Sequence, residues 1–300
     1  MHKHVATTVE TFIRTINKIS TQDGPLWFRG QSNANDQLTP NLLRNYTRIE
    51  PSSEAEEIIQ KYHKESRYVV PSFETALSEF KRRARPFLTM TPQNDFEWMF
   101  IMQHYGAPTR LLDWTTNALV ALYFAIPRPN TKGEYPALDD EEKTPEDYLD
   151  EFKRSHSGTC KGGAAVYVIN PIKLNGHAQN RHEVVDISGN ARKWAHYVFP
   201  SPAEDCDFPV CVSAPHIDRR IRSQSGVFTL HGSRIEPLDW YEALSRDIHK
   251  IYIPRGHWEV INKQMKSLGI TTSFVFPDLD GVAREVKEDV VADFCARYKP

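Results

Sequence analysis

Three stretches of the chain carry residue types suited to gripping an anionic ligand. The first is Trp27-Phe28-Arg29-Gly30-Gln31. Asp23-Gly24-Pro25 ahead of it are turn residues, and Leu26 to Phe28 form the apolar run of a short buried strand. That strand ends in a guanidinium on a rigid support. Arginine presents a planar fork of donors that matches phosphate or carboxylate, and the following glycine lets a ligand approach the backbone. The competing reading is an arginine paired with a structural carboxylate.

The second stretch, Gln103 to Ala125, reads QHYGAPTRLLDWTTNALVALYFA. It gathers Tyr105, Arg110, Asp113, Trp114, Thr115, Thr116 and Tyr123 around a strand-to-helix junction. The third is Arg222-Ser223-Gln224-Ser225-Gly226-Val227-Phe228, which leads into a strand. Each has a plain structural alternative. Arg110 and Asp113 can pair with each other, Thr115 can be a helix cap, and Gln224 can satisfy a backbone group. Other chemistries lack their signatures: there is no glycine-rich dinucleotide fingerprint, phosphate loop, metalloprotease motif or nucleophile elbow. The twelve histidines are scattered, with no pair at ligand spacing beside a third ligand, so no metal is expected.

The elements that must position these residues follow from apolar spacing. Val9, Phe12, Ile13, Ile16 and Ile19 predict a first amphipathic helix. Glu54 to about Phe87 reads as mostly helical with a break near Pro71, and Asn94 to Tyr105 as a helix capped by Asn94 or Asp95. Thr109 to Trp114 reads as a strand, followed by a buried helix over Ala118 to Ala125 capped from Thr115-Thr116-Asn117. The segment near 128–163 is polar and acidic and reads as a surface insertion with a short helix at Pro145 to Arg154. Ala164 to Ile169, Val227 to Leu230, His249 to Ile253 and Thr271 to Phe276 read as strands; Gly256 to Leu268 reads as a helix, and a last helix begins near Val282. Strands and helices do not alternate, which indicates an α+β fold.

A formal net charge of −2 supplies no global attraction to nucleic acid, so such binding would need a local patch. Two basic runs qualify: Lys81, Arg82, Arg83 and Arg85, and Arg219, Arg220 and Arg222. The four cysteines match no zinc spacing and read as reduced thiols in a cytoplasm. The N-terminus lacks the apolar core of a secretory signal, and no run reaches the length of a membrane span.

WFRGQ, the Gln103–Ala125 stretch, RSQSGVFTLHG and SLGITTSFVFPDLDGVA together resemble the FRG-domain family, over about residues 20–286 with the segment near 128–163 as an insertion. One FRG domain over 1–300 is therefore expected. A more distant resemblance is to ADP-ribosyltransferases. It implies a mixed split β-sheet with surrounding helices and an N-terminal helical part, and NAD as the substrate. By that resemblance Arg29 is the NAD-binding residue on the first strand, with Gly30 and Arg110 beside the ligand. Trp114, Thr115 and Thr116 support the nicotinamide ribose, Tyr105, Trp114 and Tyr123 wall the ring, and Gln224 stands where a catalytic glutamate is usual. Because Gln224 is neutral, a carboxylate from elsewhere is sought, with Asp113 and Glu183 as candidates. The implied activity is NAD-dependent ADP-ribosyl transfer to a macromolecule, leaning to RNA or DNA, by an intracellular toxin or anti-phage effector with an antitoxin or immunity partner. The alternatives are an NAD glycohydrolase and a nucleotide- or phosphate-binding module without turnover.

Overall fold

A mixed sheet organises the chain. The computed structural model describes residues 1–20, 24–48, 68–88, 91–129, 144–155, 163–187, 191–200, 206–213 and 219–298. In chain order its strands are β1 (His2–Val5), β2 (Trp27–Gln31), β3 (Thr47–Arg48), β4 (Tyr68–Val69), β5 (Leu111–Thr115), β6 (Ala164–Ile169), β7 (Val185–Asp186), β8 (Val210–Ser213), β9 (Gly226–Leu230) and β10 (His249–Ile253). The α-helices among the described residues are α1 (Val9–Ser20), α2 (Asn41–Arg44), α3 (Phe73–Ala84), α4 (Asp95–His104), α5 (Ala118–Ala125), α6 (Pro145–Arg154), α7 (Pro171–Gln179), α8 (Arg219–Ser223), α9 (Glu242–Ser245), α10 (Trp258–Ser267), α11 (Thr272–Val275) and α12 (Leu279–Tyr298). Strands β3 and β4 form a separate ribbon; the other eight run in the order β1-β10-β6-β2-β5-β9-β8-β7. The α+β expectation holds.

The pairing divides this sheet into two halves. β2 pairs antiparallel with β6 from Trp27↔Ile169 to Gln31↔Ala165, and β5 with β9 from Leu111↔Leu230 to Thr115↔Gly226. Between them, β2 and β5 pair at Phe28↔Thr115 alone. Beyond that residue pair the two central strands part.

Side-chain alternation then builds different cores on the two faces. On one face Trp27, Leu112, Trp114, Tyr167, Cys211 and Tyr252 belong to a single cluster that crosses the join. On the other face the core is split. Phe28, Val166, Val168 and Ile251 pack with Phe12 of α1, Ala121 and Leu122 of α5 and Ile261 of α10. Leu111, Val212, Phe228 and Leu230 pack with Leu77 of α3 and Met99, Phe100 and Met102 of α4. Each fully buried large apolar side chain stabilises the fold by about 1.5–3 kcal/mol.

Local chemistry sets the helix ends. Asn94 Oδ1 accepts from the Glu97 amide at 3.0 Å at the start of α4. Asn117 Oδ1 accepts from the amides of Leu119 (3.0 Å) and Val120 (3.3 Å) at the start of α5. Helix α5 then lies directly on β2. A Cβ at Gly30 would stand 2.0 Å from the Ala121 carbonyl oxygen and 2.6 Å from the Ala125 nitrogen. Gly30 is needed for this helix–strand contact, because the α5 backbone occupies the position a Cβ would take.

Several readings from the sequence are corrected. Thr271 to Phe276 is not a strand. Thr271 Oγ1 accepts from the Phe274 amide, and Glu285 Oε2 accepts from the Ser273 amide at 2.6 Å, so a helical turn, α11, forms there. The last helix begins at Leu279 rather than near Val282. Strands β1, β3, β4, β7 and β8 were not anticipated, and β4 (Tyr68–Val69) stands where the expected Glu54–Phe87 helix would run. In the segment near 128–163, residues 130–143 and 156–162 lie outside the described residues, as do 49–67 of the expected Glu54–Phe87 helix. The described helix α6 between them is no loose surface element. Phe152 is fully buried, its ring 5.7 Å from that of Tyr252, and its carbonyl accepts from Lys3 Nζ at 3.0 Å.

The histidines are not all scattered either. His2 and His249 are register partners with ring centroids 4.5 Å apart, and His4 Nε2 lies 3.1 Å from His249 Nδ1. Among the described residues no group of three or more His, Cys, Asp or Glu is arranged to hold a metal. Burial, then the neighbouring His2 and His4, brings the His249 pKa down to about 4. The unfolded chain takes this proton below about pH 6.5, so stability falls as pH drops from about 6.5 to about 4 and levels off below. His249→Gln should flatten that slope, measured as urea midpoints at pH 7 and pH 4.5. Gly30→Ala should destabilise by about 2 kcal/mol or more through the clash with α5, measured by urea unfolding.

Candidate active site

Where β2 and β5 part, a cleft of about 510 Å3 forms, lined mainly from the face with the divided core and reaching into the gap to Arg29 and Gln31. One wall carries Phe28 and Gly30 of β2 with Ala121 and Phe124 of α5. The other carries Phe100 and Gln103 of α4, Asp113 and Thr115 of β5, and Phe228 of β9. Arg29, Arg44 and Arg220 also line it.

Arg29 bridges the two halves. Its Nη1 donates to the Asp113 backbone carbonyl at 2.7 Å and stands 3.8 Å from Asp113 Oδ2. The structural-carboxylate reading of Arg29 is thus met only in part, since the shorter bond goes to the backbone. Burial lowers the Arg29 pKa from its ordinary value, and the Asp113 charge pulls it back up. Asp113 Oδ2 also accepts from Gln103 Nε2 at 2.7 Å, and Gln103 Oε1 accepts from the Thr109 hydroxyl. The Asp113 carboxylate is thereby oriented from behind, while its side chain stays 56% exposed on the cleft. Glu183, the other candidate carboxylate, precedes β7 at the far edge of the sheet, where it faces Arg181, and it does not line the cleft.

Other expected residues are placed differently. Arg110 does not pair with Asp113. It alternates to the opposite face, is buried, and donates from Nη1 to the Gly232 carbonyl at 2.6 Å; burial brings its pKa down to about 10. Trp114 is among the residues lining the cleft, while its indole packs in the unbroken core and donates to Thr229 Oγ1 at 3.1 Å. Tyr123 faces away. Its hydroxyl donates to Thr272 Oγ1 at 2.9 Å, and the Arg128 guanidinium covers its ring at 3.7 Å. Tyr105 is exposed on the turn after α4, with His104 and Gly106 rather than itself on the cleft wall.

The junction residues work mainly on the backbone. Thr115 Oγ1 donates to the Gln224 carbonyl at 2.6 Å and accepts from the Asn117 amide at 2.9 Å. The Thr116 amide donates to the Ser225 carbonyl at 3.1 Å, and the Thr116 side chain is exposed. Gln224 lines the cleft, and its Nε2 donates to the Val275 carbonyl at 3.3 Å.

The basic runs separate as well. Lys81 pairs with Asp95, and Arg82 and Arg83 both pair with Glu79, while Arg85 is exposed; none of these lines the cleft. Arg220 does line it, with its guanidinium 4.3 Å from the Phe276 ring centroid. Arg222 is exposed nearby, and the Arg219 side chain lies outside those described.

Sequence reasoning did not single out Gln103, Arg44, Phe100, Phe124 or His231. Phe124 had a visible signal, an aromatic at the outer edge of a nearly all-apolar helix; the others had none. His231 is 1% exposed, and both ring nitrogens lack a hydrogen-bond partner among the described residues. Burial, then the charges of Arg110 and Arg29, brings its pKa down to about 3, so the ring is neutral near pH 7.

Thr115→Val keeps the shape but removes both hydroxyl bonds at the β5–α5 junction. It should destabilise by about 1–3 kcal/mol in thermal or urea unfolding, with Thr115→Ser recovering most of the loss.

Residues 24–134 match the model of the FRG domain. No curated protein and no solved structure matches the chain. The matched stretch runs from the turn before β2 through β5 and α5, so it contains both strands that flank the split and the helix laid across Gly30. The stretch similar to the FRG domain thus supplies one wall of the cleft and most of the other.

Proposed function

We propose that the cleft binds NAD and that the chain is an NAD-dependent ADP-ribosyltransferase. The observation that carries this reading is the gathering of Arg29, Arg44 and Arg220, the rings of Phe100, Phe124 and Phe228, and the Asp113 carboxylate around one 510 Å3 cleft. A dinucleotide needs this combination: cations for the pyrophosphate, apolar walls for planar bases, and an anion beside the reacting sugar.

In the reaction, the bond between the nicotinamide nitrogen and ribose C1′ breaks, and its electron pair leaves with nicotinamide. Positive charge develops on the ribose, and a nucleophile of the acceptor then bonds C1′ and loses a proton. Asp113 stabilises the developing charge and takes that proton, held in place by Gln103 and Arg29. Gln224, anchored through Nε2, offers its amide oxygen to a ribose hydroxyl. Thr115 is a positioning residue, since its hydroxyl is committed to the backbone.

The acceptor is a macromolecule, with nucleic acid favoured over protein. The approach runs past Arg220 and Arg222, because the charges of Lys81, Arg82 and Arg83 are taken up by Asp95 and Glu79. Such an activity inside a cell suits a toxin held in check by an antitoxin or immunity protein. A second reading, a nucleotide-binding module without turnover, is favoured by the neutral Gln224.

The test is nicotinamide release from labelled NAD, with and without RNA, DNA and protein. Label transferred to a macromolecule supports the transferase and names the acceptor. Release only as free ADP-ribose replaces it with a glycohydrolase, and retained NAD without release leaves the binding module. Asp113→Asn should cut turnover by about 10²–10³-fold with NAD affinity largely kept.

A further inference from the structure

Arg44 stands where three hollows meet. It lines the cleft, a second cavity of about 620 Å3 that shares Asp36 with the cleft, and a third of about 470 Å3 that reaches Val69 of β4. Its base is fixed: Leu42 and Leu43 of α2 are fully buried, and the Leu42 amide donates to the Thr109 carbonyl at 3.2 Å. Arg44 Nε donates to the Thr39 carbonyl at 3.0 Å, and the guanidinium forms no ion pair among the described residues. Two exposed rings border it. Trp240 lines the second cavity and is 65% exposed; Tyr46 lines the second and third and is 54% exposed. Trp240 also has a rigid support. The Leu238 amide donates to the Leu38 carbonyl at 3.0 Å, Asp239 Oδ1 accepts from the Leu38 amide at 3.2 Å, and Leu238 is fully buried. Thr39 lines the same cavity, is 7% exposed, and its hydroxyl has no hydrogen-bond partner among the described residues. A buried hydroxyl without a partner, beside a large open ring, suits a planar ligand with polar edges.

We propose that this groove holds single-stranded nucleic acid, with a backbone phosphate on Arg44 and a base stacked on Trp240. A cation bordered by two exposed rings matches phosphates joined to planar bases. Asp36 and Glu236 line the second cavity as well, so phosphate is held only at the cation, and the carboxylates instead accept from amino groups on base edges. A duplex hides its base faces in the stack, and a peptide offers no regular succession of anion and plane, so the occupant is an unpaired strand. The inference rests on the nucleic-acid acceptor of the reading above and gives its form. The strand that enters past Arg220 and Arg222 leaves past Arg44, with Arg29 and Arg220 left for the dinucleotide.

Fluorescence anisotropy with the full chain and no NAD tests this, using a labelled mixed-sequence RNA of about 12 nucleotides, the DNA of the same sequence, and the duplex. A single strand should bind, and the duplex should bind at least about tenfold more weakly, because its bases cannot stack on the protein. The tighter of the two strands identifies the nucleic acid. Trp240→Ala should weaken strand binding by about 5- to 100-fold. Arg44→Gln should lower the slope of log affinity against log salt by about 0.7. Arg83→Gln should bind as the wild type does, since Glu79 takes up that charge away from the groove. Circular dichroism confirms that each variant is folded. Binding of neither strand, which leaves the groove to a peptide, overturns the inference. So does strand binding indifferent to Trp240→Ala, or a duplex that binds as tightly as the single strand. With NAD absent, failed nicotinamide release would leave the groove standing, and failed strand binding would leave NAD in the cleft.

Discussion

One backbone pair, Phe28 with Thr115, holds the two halves of the main sheet together at its centre. The cleft lies at the point where that pairing stops. Strands that part leave backbone groups without ladder partners, and a buried carbonyl needs a donor. Arg29 supplies it by reaching from β2 to the Asp113 carbonyl. The guanidinium thus closes with a side chain what the sheet leaves open, and the charge it brings stays at the head of the cleft. Helix α5 completes the join by crossing from β5 to lie on Gly30 of β2. Arginine and glycine are adjacent in the sequence because one spans the gap and the other seats the helix beside it.

Much of this was legible in the residues. Asn94 and Asn117 announce the starts of α4 and α5, and the apolar run ALVALYFA reads correctly as a buried helix. The strands around Arg29, Asp113 and Gln224 were found because each ends at turn residues. What failed has physical causes. β-Branched and aromatic residues suggested a strand at Thr271 to Phe276, but side-chain bonds from Thr271 and Glu285 close a helical turn there. Arg110 was expected beside the ligand and Tyr123 as a wall, because both flank the motif's junction. Alternation along a strand shows which residues share a face, yet not which face opens on a cleft. That depends on where the sheet splits, a long-range property. The meeting of His2 and His4 with His249 is of the same kind, spanning almost the whole chain.

The electrostatics of the site follow from depth. Arg29, Arg110 and His231 are cationic or potentially cationic groups in one region, and burial acts on all three. The imidazole gives up its charge because two fixed guanidinium charges are near and no carboxylate answers it. The arginines keep theirs because even a lowered guanidinium pKa lies far above neutrality. The cleft is therefore positive at Arg29 across the physiological range, with Asp113 as its local counterweight and Gln103 setting the angle of that carboxylate. None of these three groups depends on a loop for its position; each stands on a strand or helix of the sheet framework.

The unequal cores on the two faces of the sheet separate two burdens that many proteins place on the same residues. The uninterrupted layer around Trp27, Trp114 and Tyr167 secures the chain whatever happens opposite. The divided side can then tolerate change at its inner edges, at Phe100, Phe124 or Phe228, with a new cleft shape as the result.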